Sequence, residues 1–306
     1  MQDSFQKKAL SEIEKIAGNL EKSGFFVSKP AKKLYNYEIS VNTKNEQLKI
    51  LVYFGKKGVK TVVQGNPESK LTRTVNELLY GENLFDKQSI DDIEFREYIG
   101  TDESGKGDFF GPLVVAAVYI DSGTGIQLEK AGVKDSKLIS DNNIKILEIS
   151  IKKIVGDNFS IIQINPEKYN QLYESFLNLN KIMGWAHSKA IENLVSKIDC
   201  RNVISDKFGN EKLIKDELQK KNVQVDLYQT AKGERFTAVA AASILARAKV
   251  IDWFSARSRE LNFDIPKGAG EQVTRAADKI LQIRDREYLL KMIKFHFKNS
   301  QHIFTK

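Results

Sequence analysis

The chain has 306 residues, 41% of them hydrophobic and 29% charged, with a formal net charge of +8. That size and balance suit one large or two smaller globular domains. No apolar run is long enough to cross a bilayer. The amphipathic, acid-bearing N-terminus fits neither a signal nor a transit peptide, and the single cysteine, Cys200, excludes an internal disulfide and a Cys-rich zinc site. A cytoplasmic protein is expected.

The positive charge is concentrated at one end. Residues 1–65 hold twelve Lys, no Arg and six acidic residues, a net of +6, which leaves +2 for the other 241. A basic module on a nearly neutral body fits an electrostatic hold on a polyanion, and fits equally the plain solubilisation of a small domain. Phe5, Ala9, Leu10, Ile13, Ile16, Ala17 and Leu20 recur at helical spacing. After "SGFF" come three strand-like runs, "YNYEISV", "LKILVYF" and "VKTVVQG". Gly55-Lys56-Lys57-Gly58 joins the last two as a hairpin. A helix and a small antiparallel sheet make a domain near the lower size limit for independent folding. One sheet face then packs on the helix and the other is left for a ligand.

Residues 66–94 read as a linker holding one helix around Leu71, Val75, Leu78 and Leu79. The body starts at about residue 95. "EYIGTD", "LVVAAVYI" and "FSIIQIN" read as three strands in succession, the first two joined by the turn-rich "SGKGDFFGP". Helices are expected over 166–179 and 181–198, a short buried strand at "NVISD" (202–206), a helix near 211–220, a strand in "VQVDLYQ" (223–229) and a central helix over 236–258. Two more helices are expected around 271–282 and 285–296. Strands in a row followed by strands alternating with helices define an α/β body, a mixed sheet with helices packed on it.

The stretch "GTDESGKGD" (100–108) nearly fits a phosphate-binding loop. The fit fails at two points. Gly107 stands where Ser or Thr should hold Mg²⁺, and Asp102 and Glu103 would face the phosphates with negative charge. A metal site reads better. Asp102 and Glu103 follow one strand, Asp206 ends another, and Glu234 precedes the central helix. Carboxylates at neighbouring strand ends can converge at one sheet edge. Their repulsion is relieved by Mg²⁺, which prefers carboxylate oxygen and water. Two such ions about 4 Å apart serve phosphodiester cleavage. Solvated acidic residues with no specific role are common, so these positions alone leave both readings open.

The motifs carry a family resemblance. "GTDESGKGDFFGPLVVAAV" resembles the opening active-site motif of the type 2 ribonucleases H, "VKDSK" (133–137) their second, "VISD" their third and "KGERFTAVAAASILARAKV" their fourth. Within that group the chain is most similar to the ribonuclease HIII branch. The N-terminal module, Glu234 in place of Asp, and the C-terminal "IPKGAG" and "KFHFKNS" make that choice. The resemblance is strong over 95–306 and weaker over 1–65, where it implies a small substrate-binding domain like half of the TATA-binding protein fold. For the body it implies a ribonuclease H-like mixed sheet flanked by helices. The implied activity is metal-dependent hydrolysis of the RNA strand of an RNA–DNA hybrid, leaving 5′-phosphate and 3′-hydroxyl ends. Asp102, Glu103, Asp206 and Glu234 are then the catalytic and metal-binding carboxylates, with Mg²⁺ or Mn²⁺ as cofactor. Gly105-Lys106-Gly107 resembles the substrate loop, whose glycines let backbone approach the strand and its 2′-hydroxyl. Ser104 and Lys137 join the substrate contacts. Ser243 is assigned to close packing of the central helix, with a polar contact beside the metals as the alternative, His187 to the core beside Trp185, His296 to packing in "KFHF", and Phe109 and Phe110 to support beneath the loop. No coiled-coil pattern appears, so a monomer is expected.

Overall fold

A boundary between Ile93 and Glu94 separates two units, Met1–Ile93 and Glu94–Lys306. The structure, a computed structural model, describes residues 2–43, 46–55, 58–66, 69–80, 90, 93–134, 136 and 139–304.

In the first unit the apolar stripe of α1 (Gln2–Lys22) buries Ala9, Ile13, Ile16, Ala17 and Leu20. It lies on an antiparallel sheet of β1 (Phe26–Val27), β2 (Ala31–Lys32), β3 (Asn36–Asn42), β4 (Gln47–Gly55) and β5 (Gly58–Gln64). The order is β1-β3-β4-β5, with β2 also on β3. Gly55 pairs with Gly58 and so closes the β4–β5 hairpin; its two lysines, Lys56 and Lys57, lie outside the described residues. Side chains alternate along a strand. Tyr37, Ile39, Val41, Leu48, Ile50 and Val52 therefore join the core under α1, while Glu38, Ser40, Lys49, Tyr53 and Lys60 take the other face. The helix read within a linker is α2 (Lys70–Tyr80). Its Leu71 and Val75 join the same core, and the Leu71 N–H donates to Glu46 Oε2 at 2.8 Å. This helix is thus part of the first unit.

The second unit is built on β6 (Glu97–Ser104), β7 (Leu113–Asp121), β8 (Phe159–Ile164), β9 (Asn202–Asp206) and β10 (Asp226–Thr230), in the order β10-β9-β6-β7-β8. β10, β9 and β6 run parallel; β7 and β8 add antiparallel strands. The helices are α3 (Ser122–Lys130), α4 (Asp141–Val155), α5 (Pro166–Phe176), α6 (Leu179–Val195), α7 (Lys212–Lys220), α8 (Thr237–Leu261), α9 (Glu271–Ile283), α10 (Arg286–Leu290) and α11 (Asn299–Phe304). The fold is a mixed sheet flanked by helices. None of the described helices is long and apolar enough to cross a membrane.

Two local expectations change. α3 and α4 intervene between β7 and β8, so three strands do not follow one another directly. α4 buries Ile144, Ile151 and Val155 but leaves Ile146 and Ile149 exposed, and apolar residues on both faces blur the helical period. The helix expected over 285–296 stops at Leu290. Beyond it, Met292 and Lys294 exchange backbone hydrogen bonds with Gly111 and Phe109, and Phe110 bridges to Ile293. The tertiary pairing replaces the helix.

The alternation of β6 sorts its residues between two helices. Ile99, Thr101 and Glu103 turn towards α6, whereas Tyr98, Gly100 and Asp102 turn towards α8. α8 meets the sheet through small side chains, including Ala238, Ala241 and Ala242, all fully buried. The approach is closest at Gly100, where a Cβ would stand 2.2 Å from Val239 N and 2.3 Å from Ala238 C. Gly100→Ala must push α8 from the sheet, because the obstacle is backbone. A loss of at least about 3 kcal/mol in unfolding free energy is expected, read by urea titration. A loss below about 1 kcal/mol contradicts this contact.

Candidate active site

Asp102 and Glu103 occupy the end of β6, and Asp206 ends β9. Thr101 pairs with Ser205 in the parallel ladder, so Asp102 and Asp206 come next in register on the α8 face. Asp206 Oδ1 accepts the Gly233 N–H at 2.8 Å. Gly233 opens a one-turn 3-10 helix, Gly233–Arg235, that carries Glu234, so the fourth carboxylate sits one residue beyond that bond. The fold thus brings Asp102, Glu103, Asp206 and Glu234 to one end of the sheet.

The two adjacent carboxylates are treated in opposite ways. Burial pushes the Asp102 pKa well above the usual carboxylate range, and the charges of Glu103 and Asp206 add to the rise. Its hydrogen-bond donors are neutral, the Ser243 hydroxyl and the Glu103 N–H, the latter at 2.8 Å. Burial also pushes Glu103 upward, but the hydrogen bond and charge of His187, with Lys106, hold it below its ordinary value. Lys106 Nζ lies 2.9 Å from Glu103 Oε1, and His187 Nε2 lies 3.2 Å from Oε2. His187 is itself fixed. The Thr101 hydroxyl gives its one proton to the Ala116 carbonyl at 2.8 Å, so His187 Nδ1 donates to it at 2.9 Å. The imidazole also stacks on Phe208, with ring centres 4.8 Å apart.

His187, assigned to the core, therefore belongs to the site, and Ser243 takes the polar contact that was the alternative to packing. His187 is fully buried, as expected of a core residue, but it orients Glu103. Ser243 joins Asp102 to Ser136 of the "VKDSK" segment, Oγ to Oγ at 2.9 Å. Arg247 donates to the Ser136 carbonyl and reaches Asp141 at 2.7 Å, so α8 anchors that segment. A polar residue facing a known carboxylate strand one helical turn from an Arg was the only available sequence signal. The expected substrate contact Lys137 lies outside the described residues.

The Gly105-Lys106-Gly107 loop follows directly. Gly105 has φ +83°, and a Cβ there would meet the Pro112 carbonyl oxygen at 2.1 Å, so only glycine makes this turn. Gly107 faces open space, with nothing within 4 Å of the point where a Cβ would stand. Phe109 and Phe110 are fully buried beneath the loop, ring centres 4.9 Å apart, in the supporting role expected of them. His296 packs against Tyr173 and Phe297, with ring centres 4.8 and 4.2 Å away.

Among the described residues, no three His, Cys, Asp or Glu side chains already stand as a closed ligand set. Lys106 and His187 take both Glu103 oxygens, and Gly233 takes one of Asp206. The donor chemistry nevertheless fits a hard divalent cation. It is carboxylate oxygen, and an ionised Asp102 has only neutral hydrogen-bond partners, which leave its charge for a cation to offset.

Comparison with known proteins agrees with this fold. A family model described as Ribonuclease HII matches residues 99–300. Ribonuclease HIII of Protochlamydia amoebophila (strain UWE25) is 36% identical over 297 residues, covering 97% of this chain and 95% of its own. Ribonuclease HIII of Chlamydia trachomatis serovar L2 is 35% identical over 289 residues, with 93% and 91% covered. Among solved structures, Bst-RNase HIII in complex with Mn²⁺ matches with a TM-score of 0.64 at 26% identity, covering 94% of both chains. Aquifex aeolicus RNase H3 matches with a TM-score of 0.56 at 29% identity, covering 94% of this chain and 97% of its own. A mixed sheet of this order with carboxylates at its strand ends defines a hydrolase of the ribonuclease H class. Within that class, the chain belongs to the ribonuclease HIII family.

The raised pKa of Asp102 has a sign that can be measured. The folded chain keeps this proton over a pH window in which the unfolded chain has lost it, so stability without metal falls as pH rises through that window. Asp102→Asn removes the loss. In EDTA the variant should melt above the parent, by a margin that grows as pH rises from the ordinary carboxylate range. Thermal melts at several pH values check this; a margin that does not change with pH contradicts it.

Proposed function

We propose that the protein is a divalent-metal-dependent endonuclease that cuts the RNA strand of RNA–DNA hybrids and leaves 5′-phosphate and 3′-hydroxyl ends. One observation carries this reading: Asp102 is buried beside the charges of Glu103 and Asp206 with only neutral hydrogen-bond donors. A protein has little reason to bury such a group unless a cation completes it. The Mn²⁺ in the similar Bst-RNase HIII structure supports the same conclusion. Asp102, Glu103, Asp206 and Glu234 would hold Mg²⁺ or Mn²⁺. When bound, such ions supply an activated water and stabilise the leaving oxygen in phosphodiester hydrolysis.

The rest falls to the chain itself. Ser243 and the Glu103 N–H orient Asp102, and His187 orients Glu103. Lys106, whose side chain is 42% exposed, exchanges Glu103 for a substrate phosphate, which frees that carboxylate. Gly107 leaves room for the RNA strand to reach loop backbone, where the 2′-hydroxyl distinguishes RNA from DNA. Ser104, at the end of β6, is a further substrate contact, and Lys137 is another. Residues 1–65 bind substrate electrostatically through the sheet face turned away from α1. That face carries Lys49, Lys60 and the half-exposed Tyr53. Phosphate contacts of this kind position a duplex without reading its sequence.

Asp206→Asn keeps the side-chain volume and removes one metal-binding charge. Cleavage of a hybrid in Mg²⁺ or Mn²⁺ is expected to fall at least about 100-fold with binding largely retained. Near-parental turnover in either metal removes Asp206 from the catalytic set. For the first unit, the measurement is the salt dependence of hybrid binding. Substituting Lys49 and Lys60 together by Ala should reduce the slope of log K against log salt by about two, because each lost phosphate contact removes roughly one released counterion. An unchanged slope assigns these lysines to solubility alone.

A further inference from the structure

The strap that replaces the end of the expected 285–296 helix carries a lysine that the proposed chemistry does not use. Lys294 is fully buried. Its backbone N–H donates to the Phe109 carbonyl at 2.9 Å, and the Gly111 N–H donates to the Met292 carbonyl at 2.9 Å. The side chain then passes under the Gly105–Asp108 loop. Nζ donates to the Asp108 carbonyl at 2.7 Å, to the Gly105 carbonyl at 3.1 Å and to the Phe110 carbonyl at 3.4 Å. An ammonium has three N–H donors, and here all three point at one loop. Gly105 and Asp108 flank Lys106 and Gly107, so a single atom ties together both ends of the exposed pair. A second tie lies alongside: the Phe109 N–H donates to the Gly268 carbonyl at 2.8 Å, and the Gly268 N–H to Asp108 Oδ1 at 2.6 Å.

This arrangement is costly. Burial draws the Lys294 pKa down to about 7, against the opposing pull of Asp108. The stability cost is full below that folded pKa and fades as pH rises towards the unfolded value. An apolar side chain of the same length would fill the space without that cost. What it could not do is hold three carbonyl oxygens at one point.

We infer that Lys294 is a positioning residue for substrate recognition: its Nζ fixes the span from Gly105 to Asp108 and so sets how the backbone at Lys106 and Gly107 meets the RNA strand. The inference rests on the reading of Gly105-Lys106-Gly107 as the substrate loop. Lys294 itself touches neither substrate nor the carboxylates.

The test uses full-length Lys294→Met, which keeps the length and deletes the donors, beside Lys106→Ala. Both are assayed by steady-state cleavage of an RNA–DNA hybrid of defined sequence, with thermal melts to verify folding. With the assay held below the Lys294 pKa, so that the ammonium is present, loss of its charge-assisted hydrogen bonds to the loop should raise KM about tenfold in Lys294→Met. Turnover at saturating hybrid should stay within about threefold, since the carboxylates are untouched. A purely structural lysine would instead lower the melting temperature and the active fraction with KM unchanged, and that result overturns the inference. If Lys106→Ala raises KM and folded Lys294→Met does not, the inference alone fails. If Lys106→Ala leaves KM unchanged, the loop is not the substrate loop and the inference falls with that reading. Should Lys294→Met not fold, Lys294→Gln keeps two donors on a shorter stem that cannot span both ends of the loop. The same split between KM and turnover then decides.

Discussion

α8 and β6 meet backbone to backbone at Gly100, and the site depends on that contact. A strand normally carries side chains that hold a helix well away from its backbone. Here a glycine on β6 and alanines on α8 remove that spacing. The next residue of β6 on the same face is Asp102, and the close approach is what buries it against Ser243. A wider gap would let water reach this carboxylate and relax its charge, and with it the reason for a cation to bind.

The pleat of β6 then divides the labour between two helices. Asp102 and Glu103 are neighbours in sequence but meet different environments, because successive side chains leave a strand on opposite faces. On one side Asp102 finds neutral donors and the negative charge of Asp206. On the other Glu103 finds His187, braced by Thr101, and Lys106. One carboxyl is driven towards its neutral form and the other is held ionised. A pair with opposed environments leaves one carboxyl of the proposed metal site in need of positive charge and one already oriented.

The loop beyond β6 is constrained differently. Gly105 takes a backbone shape open only to glycine, Phe109 and Phe110 fill the core beneath, and the strap at 292–294 pairs with the loop's far side. Its constraints therefore include residues more than 150 positions away in the chain. The exposed part is short, Lys106 and Gly107. The loop thus joins a fixed base to a small open surface, which suits the contact with a nucleic-acid strand proposed for it.

The sequence alone determined the order of most elements and the mixed sheet, which follow from local rules: period-two and helical spacing and turn residues. Acidic residues at strand ends raised the possibility of a metal site, and the choice of four carboxylates with the glycine loop beside them came from the family resemblance of the motifs. The sequence determined less where long-range contacts override local preference. Apolar residues on both faces of α4 hid a helix, and residues 291–296, helical by pattern, became a strap because the backbone of 109–111 offered hydrogen bonds in their place. His187 and Ser243 looked like ordinary core residues, because which carboxylate each one faces is fixed only when α6 and α8 dock on opposite sides of β6. Lys294 gave no local sign of its burial. Three carbonyl groups from the Gly105–Phe110 segment converge on it only after the strap has packed under the loop, so its role belongs to the tertiary structure.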